Sequence, residues 1–271
     1  MALTKVLITV KTYPTISTKY DELVCTAGFR EDGTWIRIYP FPFRQKPYNE
    51  QYKKYDWIEL DLVKNDRDFR PESYRPFSLE SELKIVGHLD TTNNWAERKK
   101  YVLRKVYYDL AELIAEAKDK NICTSLSVFK PAKILDFEVA EVEREWDKEK
   151  LAKLQQLNLF ESISEKGKFE VVKKLPFKFY YKLMDNQGKE SRMMIEDWEI
   201  GQLYWNCVRK YEGDEVKAIK DIRIKYFDDF AKTKDLFLFL GTTQLHHHVS
   251  HNPFIIIGIF HPKIDLQGSL F

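Results

Sequence analysis

Cysteine is scarce in this chain. Cys25, Cys123 and Cys207 are the whole complement among 271 residues. They are far apart, odd in number and form no Cys-x-x-Cys pair, which excludes a disulfide scaffold and a zinc ribbon and predicts reduced, mostly buried thiols. There is no P-loop, no Gly-x-Gly-x-x-Gly and no Ser-His-Asp signature, so the common nucleotide-binding and acyl-transfer motifs are missing. The longest apolar run, Phe254 to Phe260, is too short to cross a bilayer, and no membrane association is expected. Neither sign of charge dominates: 44 Lys and Arg against 42 Asp and Glu leave a net charge of +2. A strongly electrostatic nucleic-acid binder is usually more basic, so any such role must rest on a local patch. The opening residues MALTKVLITVK lack the architecture of a signal peptide, and an intracellular, cytoplasmic protein is expected. No internal repeat and no low-complexity tract is visible.

Aromatic residues are plentiful at 14%, which favours β-structure or stacking surfaces. Several of them fall in Leu23 to Arg44, LVCTAGFREDGTWIRIYPFPFR, which reads as a hairpin. Asp32-Gly33 supplies the turn, because glycine accepts the positive φ that a tight hairpin needs. On the return strand Trp35, Arg37 and Tyr39 share one face and Ile36 and Ile38 the other. Lys5 to Lys11, Trp57 to Val63 and Leu83 to Val86 alternate in the same way, so residues 1–90 predict a small β-barrel.

Residues 91–271 change in character and predict a second, α+β domain. Helices are expected over 94–118, with Asn94 and Glu97 as a capping box, and over 146–160, 195–211 and 214–231. Ser162 to Lys168 reads as a polar linker. Leu236 to Leu240 and Pro253 to Phe260 are apolar on both sides and predict the most buried strands. The fold class expected is therefore α+β, an OB- or PUA-like barrel at the N-terminus packed with a second helix-containing β domain.

Three groups of residues carry chemistry. The first is a nucleic-acid surface. Trp35 and Tyr39 would stack bases, and Arg37, Arg44, Arg67, Arg70 and Arg75 would take phosphates. The competing reading puts Trp35 and Tyr39 in a core and the arginines in local surface ion pairs. The second is a loop between the two apolar strands, with Thr242, Thr243, His246, His248, His251 and Asn252 over a ligand pocket. In an extended segment His246 and His248 point the same way. Zinc needs three or four donors and no cysteine or carboxylate lies within the cluster, so no metal and no cofactor is expected. The third is the pair Trp198 and Trp205, seven apart on one helix, either sandwiched inside the protein or offered to a protein partner.

Cys25-Thr26-Ala27-Gly28, Gly33 and Trp35-Ile36-Arg37-Ile38 together are similar to the dual OB-fold-containing domains of bacterial conflict systems. The resemblance spans the hairpin and implies two packed β-barrels with a nucleic-acid or nucleotide ligand. It carries over no catalytic residue, and the helices between Asn94 and Phe230 depart from a plain pair of barrels. The expected function is a non-enzymatic module that binds single strands or RNA in a bacterial, mobile-element or defence system. The alternatives are a nucleotide-processing enzyme or sensor with the histidine loop over its pocket, and a protein-interaction subunit.

Overall fold

A computed structural model describes residues 2–17, 21–149, 151–152 and 171–265. The chain begins with β1 (Ala2–Lys11), β2 (Thr15–Ser17), β3 (Asp21–Arg30) and β4 (Trp35–Phe41). It continues with β5 (Asp56–Lys64), β6 (Ser73–Pro76) and β7 (Lys84–His88). β1 pairs antiparallel with β3, β3 with β4, and β5 with β6; β4 and β6 run parallel. Pairing of β5 with β1 closes a five-stranded mixed barrel. The β3–β4 turn is held by Arg30 N donating to Thr34 O (2.9 Å), with Gly33 at φ 80°.

Alternation sorts the barrel's side chains into two cores. Val6, Ile8, Val24, Ile36, Ile38, Ile58, Leu60 and Leu62 fill the interior. Leu7, Val10, Ala27, Phe29, Tyr55 and Trp57 point outward, yet they are buried as well. They meet Leu126, Val128, Phe237, Phe239, Ile257 and Phe260 of a second sheet.

That sheet has seven strands. In chain order they are β8 (Val106–Tyr107), β9 (Leu126–Phe129), β10 (Lys133–Glu141), β11 (Phe177–Met184), β12 (Glu190–Ile195), β13 (Phe237–Thr242) and β14 (Phe254–Phe260). Their spatial order is β10-β11-β12-β14-β13-β9-β8. The helices among the described residues include α1 (Thr92–Val102), α2 (Leu110–Lys118), α3 (Trp198–Lys210) and α4 (Glu215–Arg223). The last runs on as a π-helical stretch, Ile224–Ala231. On β13, Phe237 and Phe239 face the barrel while Leu238 and Leu240 face the helices, alongside Leu113, Ile200, Tyr204 and Tyr226. The run is apolar on both sides because it is the middle layer of three. Layer for layer, the molecule is an α+β protein of barrel, sheet and helices.

The helix expected over 94–118 is two helices with a short strand between them. Asn93, Asn94 and Trp95 have positive φ (48°, 52° and 65°), so the right-handed helix starts after them. Asn94 bonds the backbone of Lys263 instead of capping. Val106 and Tyr107 then pair with β9 as a short parallel strand. Asp109 caps α2 afresh, accepting from Ala111 N at 2.7 Å. The helix expected over 195–211 begins at Trp198, because Ile195 belongs to β12 and Asp197 is the N-cap. The helix expected over 146–160 and the linker over 162–168 lie for the most part outside the described residues.

Candidate functional site

The stripe Trp35, Arg37, Tyr39 lies on the outer face of β4, and that face meets the second sheet. Arg37 is 2% exposed. Its guanidinium donates to Ser125 Oγ (2.8 Å), Ser73 Oγ (3.3 Å), Ser125 O (3.1 Å) and Thr242 O (3.4 Å). Burial, and then repulsion from Arg70, lower its pKa, while Glu72 and Asp68 act the other way. Arg70 is buried beside it in a fork with Asp68 (2.8 and 2.5 Å) and also donates to Thr242 O. Asp68 takes a further bond from Ser73 Oγ (2.6 Å). Glu72 accepts from Ser125 N (3.1 Å) and Ser125 Oγ (2.8 Å). These groups form one polar knot between the barrel and the sheet. The expectation that Arg37 and Arg70 take phosphates at a surface is corrected: both guanidinium groups are inside, held by a carboxylate, hydroxyls and carbonyls.

At either end of that knot the interface opens into a cleft. The first, about 300 Å³, lies at the β3–β4 turn. Trp35, Phe29, Tyr101 and Tyr107 give it aromatic walls, and Arg104 and Lys105 stand at its rim. Trp35 packs on Phe29 (ring centroids 4.1 Å) and edge-on to Phe239 (5.9 Å). Arg104 lies over Gly33, in the space a Cβ would fill, and donates to Asp32 O. Lys105 sits over the Tyr107 ring (4.6 Å) and pairs with Glu116 (3.3 Å). Glu72 and Ser127 also line this cleft. Ser127 is 1% exposed, and its hydroxyl is without a hydrogen-bond partner among the described residues. A buried hydroxyl in that condition costs roughly 1–3 kcal/mol unless a ligand or water completes it.

The second cleft, about 140 Å³, brings together four of the residues singled out from the sequence: Arg37, Tyr39, Thr242 and Thr243. Tyr13, Cys25 and Glu196 complete its polar lining. Burial raises the pKa of Glu196, against the nearby Lys178 charge. Trp35 and Tyr39 thus line different clefts, and Arg37, buried between them, borders the second. Arg44, Arg67 and Arg75 join neither cleft; Arg67 and Arg75 are exposed, and the Arg67 carbonyl accepts from Gln244 (2.6 Å).

Trp198 and Trp205 face this chain's own barrel. Trp198 meets Phe43 (5.4 Å) and Tyr13 (6.3 Å), and Trp205 Nε1 donates to Tyr13 Oη (2.8 Å). Gly201, between them on α3, leaves room for the Tyr13 ring. Lys54 closes the seam on Asp197 (2.7 Å) and Glu199 (2.9 Å). Burial alone would lower the Lys54 pKa, but attraction to both carboxylates raises it, so it remains an ammonium. The sandwiched arrangement is therefore the observed one.

The loop after β13 is wound in turns rather than extended. Neither His246 nor His251 turns inward; both are exposed. His247, not singled out from the sequence, is fully buried. Its Nδ1 is 2.7 Å from Thr242 Oγ1, and its Nε2 lies 2.7 Å from Ala117 O and 3.4 Å from Cys123 Sγ. Burial lowers its pKa. His248 is exposed and stacks on Phe69 (4.8 Å). Thr243 Oγ1 accepts from His246 N, and Asn252 Oδ1 from Phe254 N (3.0 Å), so both shape the loop. No histidine lines either cleft. No helix among the described residues is long and apolar enough to cross a membrane.

Fold and clefts together define a class: a closed β-barrel roofed by a helix-backed sheet, with ligand-sized openings at the junction. Residues 107–271 match the family described as Domain of unknown function (DUF8757), which spans more than half of the chain, and the chain belongs to that family. Residues 2–104 match a second one, Domain of unknown function (DUF8758). No curated protein matches the chain.

Proposed function

We propose that the chain is a non-enzymatic nucleic-acid-binding module that takes one unpaired base of a single strand or an RNA into the first cleft. The observation that carries this reading is the combination in that cleft of four aromatic walls and two rim cations. Its volume of about 300 Å³ suits a single base and its sugar. Aromatic faces stack any base, Lys105 and Arg104 reach the adjoining phosphates, and Glu72 offers an acceptor to a base edge. The five-stranded Greek-key closure is also that of OB-type barrels, which supports the resemblance drawn at the hairpin. The setting that the resemblance implies is a bacterial conflict or mobile-element system. In OB-type barrels the ligand runs across the second and third strands; here β3 and β4 are roofed by the second sheet, so a strand enters at the end of that face.

The test is fluorescence anisotropy with labelled single-stranded DNA, duplex DNA and RNA at low and moderate salt. Binding to single strands that weakens with salt and falls about tenfold or more in Lys105→Glu and Trp35→Ala supports the reading. No binding to any of the three at low salt overturns it. A nucleotide sensor is the second reading, favoured by the second cleft, where Arg37, Tyr39, Thr242 and Thr243 converge. It predicts that free nucleotides raise the melting temperature while oligonucleotides do not bind.

A further inference from the structure

We infer that Cys123, His247 and His248 form a zinc site between the end of α2 and the loop after β13. From the sequence, the histidine cluster lacked a thiolate. The fold supplies one from 124 positions away. Cys123 Sγ, a ring nitrogen of His247 and a ring nitrogen of His248 all lie within 4.8 Å of one another. The Sγ to His247 Nε2 separation is 3.4 Å. Two ligands bound at about 2.3 and 2.0 Å on a tetrahedral ion stand about 3.5 Å apart, so this pair needs almost no movement to share one. A thiolate with two imidazoles selects zinc over the hard cations.

The surroundings suit ligation. Thr242 Oγ1, 2.7 Å from His247 Nδ1, is the outer contact that orients a ligating imidazole. Phe69 packs edge-on to His247 (5.3 Å) and flat on His248 (4.8 Å), screening the group from bulk water on that side. The competing contact is Ala117 O, 2.7 Å from Nε2. On binding, the Nε2 proton moves to Nδ1, where Thr242 Oγ1 accepts it, and the Cys123 thiol proton is released to solvent. The Ala117 carbonyl or a water takes the fourth position. The ion would tie the loop to α2 beside Thr242, whose carbonyl receives both Arg37 and Arg70.

The experiment uses tag-free full-length protein, stripped of metal and titrated with Co²⁺, with bound zinc measured separately by mass spectrometry. The expected result is about one equivalent of cobalt with a sulfur-to-metal charge-transfer band, lost in Cys123→Ser. His248→Ala removes an exposed side chain, so its fold should survive; its cobalt affinity should drop by at least about tenfold. Absence of binding by the wild-type protein overturns the site. So does binding without the charge-transfer band, or a band that persists in Cys123→Ser.

Discussion

Replacing Arg37 with Met separates an interface latch from a surface contact. The methionine keeps most of the stem's volume and removes the guanidinium. Thr242 O keeps Arg70, Ser125 Oγ keeps Glu72, Ser73 Oγ keeps Asp68, and Ser125 O keeps Thr242 N (3.0 Å). Every acceptor thus keeps a partner, and the cost is that of the lost bonds to a charged donor, about 1.5–3 kcal/mol each without adding fully. Relief of the Arg37–Arg70 repulsion and of the burial of a cation offsets part of that. The expected loss is about 3 kcal/mol. Arg37→Lys should recover little of it, since one ammonium cannot reach four acceptors spread over both domains. Urea unfolding followed by tryptophan fluorescence reads this as a midpoint lowered by about 1 M, for a slope near 3 kcal/mol/M. A loss under about 0.5 kcal/mol in Arg37→Met, together with abolished oligonucleotide binding, would refute the latch and return Arg37 to a ligand.

Three further outcomes follow from particular contacts. Ser127→Ala removes an unpartnered buried hydroxyl of β9, so the protein should hold its stability or gain about 1 kcal/mol; a marked loss of stability would mean that the hydroxyl has an internal partner. Gly201→Ala gains about 1 kcal/mol of helix propensity but drives a methyl into the Tyr13 ring, costing about 1–3 kcal/mol of overpacking and the bonds of Tyr13 to Trp205 and Lys173. It should destabilise the wild-type protein and stabilise a Tyr13→Ala background, and the same sign in both would sink the argument. His261 is stacked on Phe230 at 3.9 Å, and burial lowers its pKa from 6.5 to about 4. The unfolded state therefore binds the proton first, and stability falls as pH drops below about 6.5. At pH 5 the penalty is about 2 kcal/mol relative to pH 7.5, and His261→Phe should lack that part of the pH dependence in paired urea titrations.

Much of the fold was legible because its signals are local. The hairpin turn at Asp32-Gly33, the alternation along β5 and the apolar run of β13 each state their period within a few residues. The break between α1 and α2 was not, because Val106 and Tyr107 fit a helical stripe as well as a strand. What decides is β9, which offers Val128 and Phe129 as partners. Asn94 was read as a cap by residue type, but its amide is taken by Lys263, 169 positions away.

The candidate site was half legible for the same reason. Strand periodicity put Trp35, Arg37 and Tyr39 on one face, and they are on one face. It could not say what lies across from them. Two strands with apolar residues on both sides announce a sheet covered twice, and the helices account for one cover. The other must be an apolar surface elsewhere in the chain, and the outward residues Leu7, Ala27, Phe29 and Trp57 of the barrel are that surface. Arg37 stands in the middle of the same face, so it is buried with it. A cation in that position must find acceptors, and the facing strands supply them from Ser125 and Thr242. Only the ends of the stripe, where the curved barrel parts from the sheet, are left for a ligand.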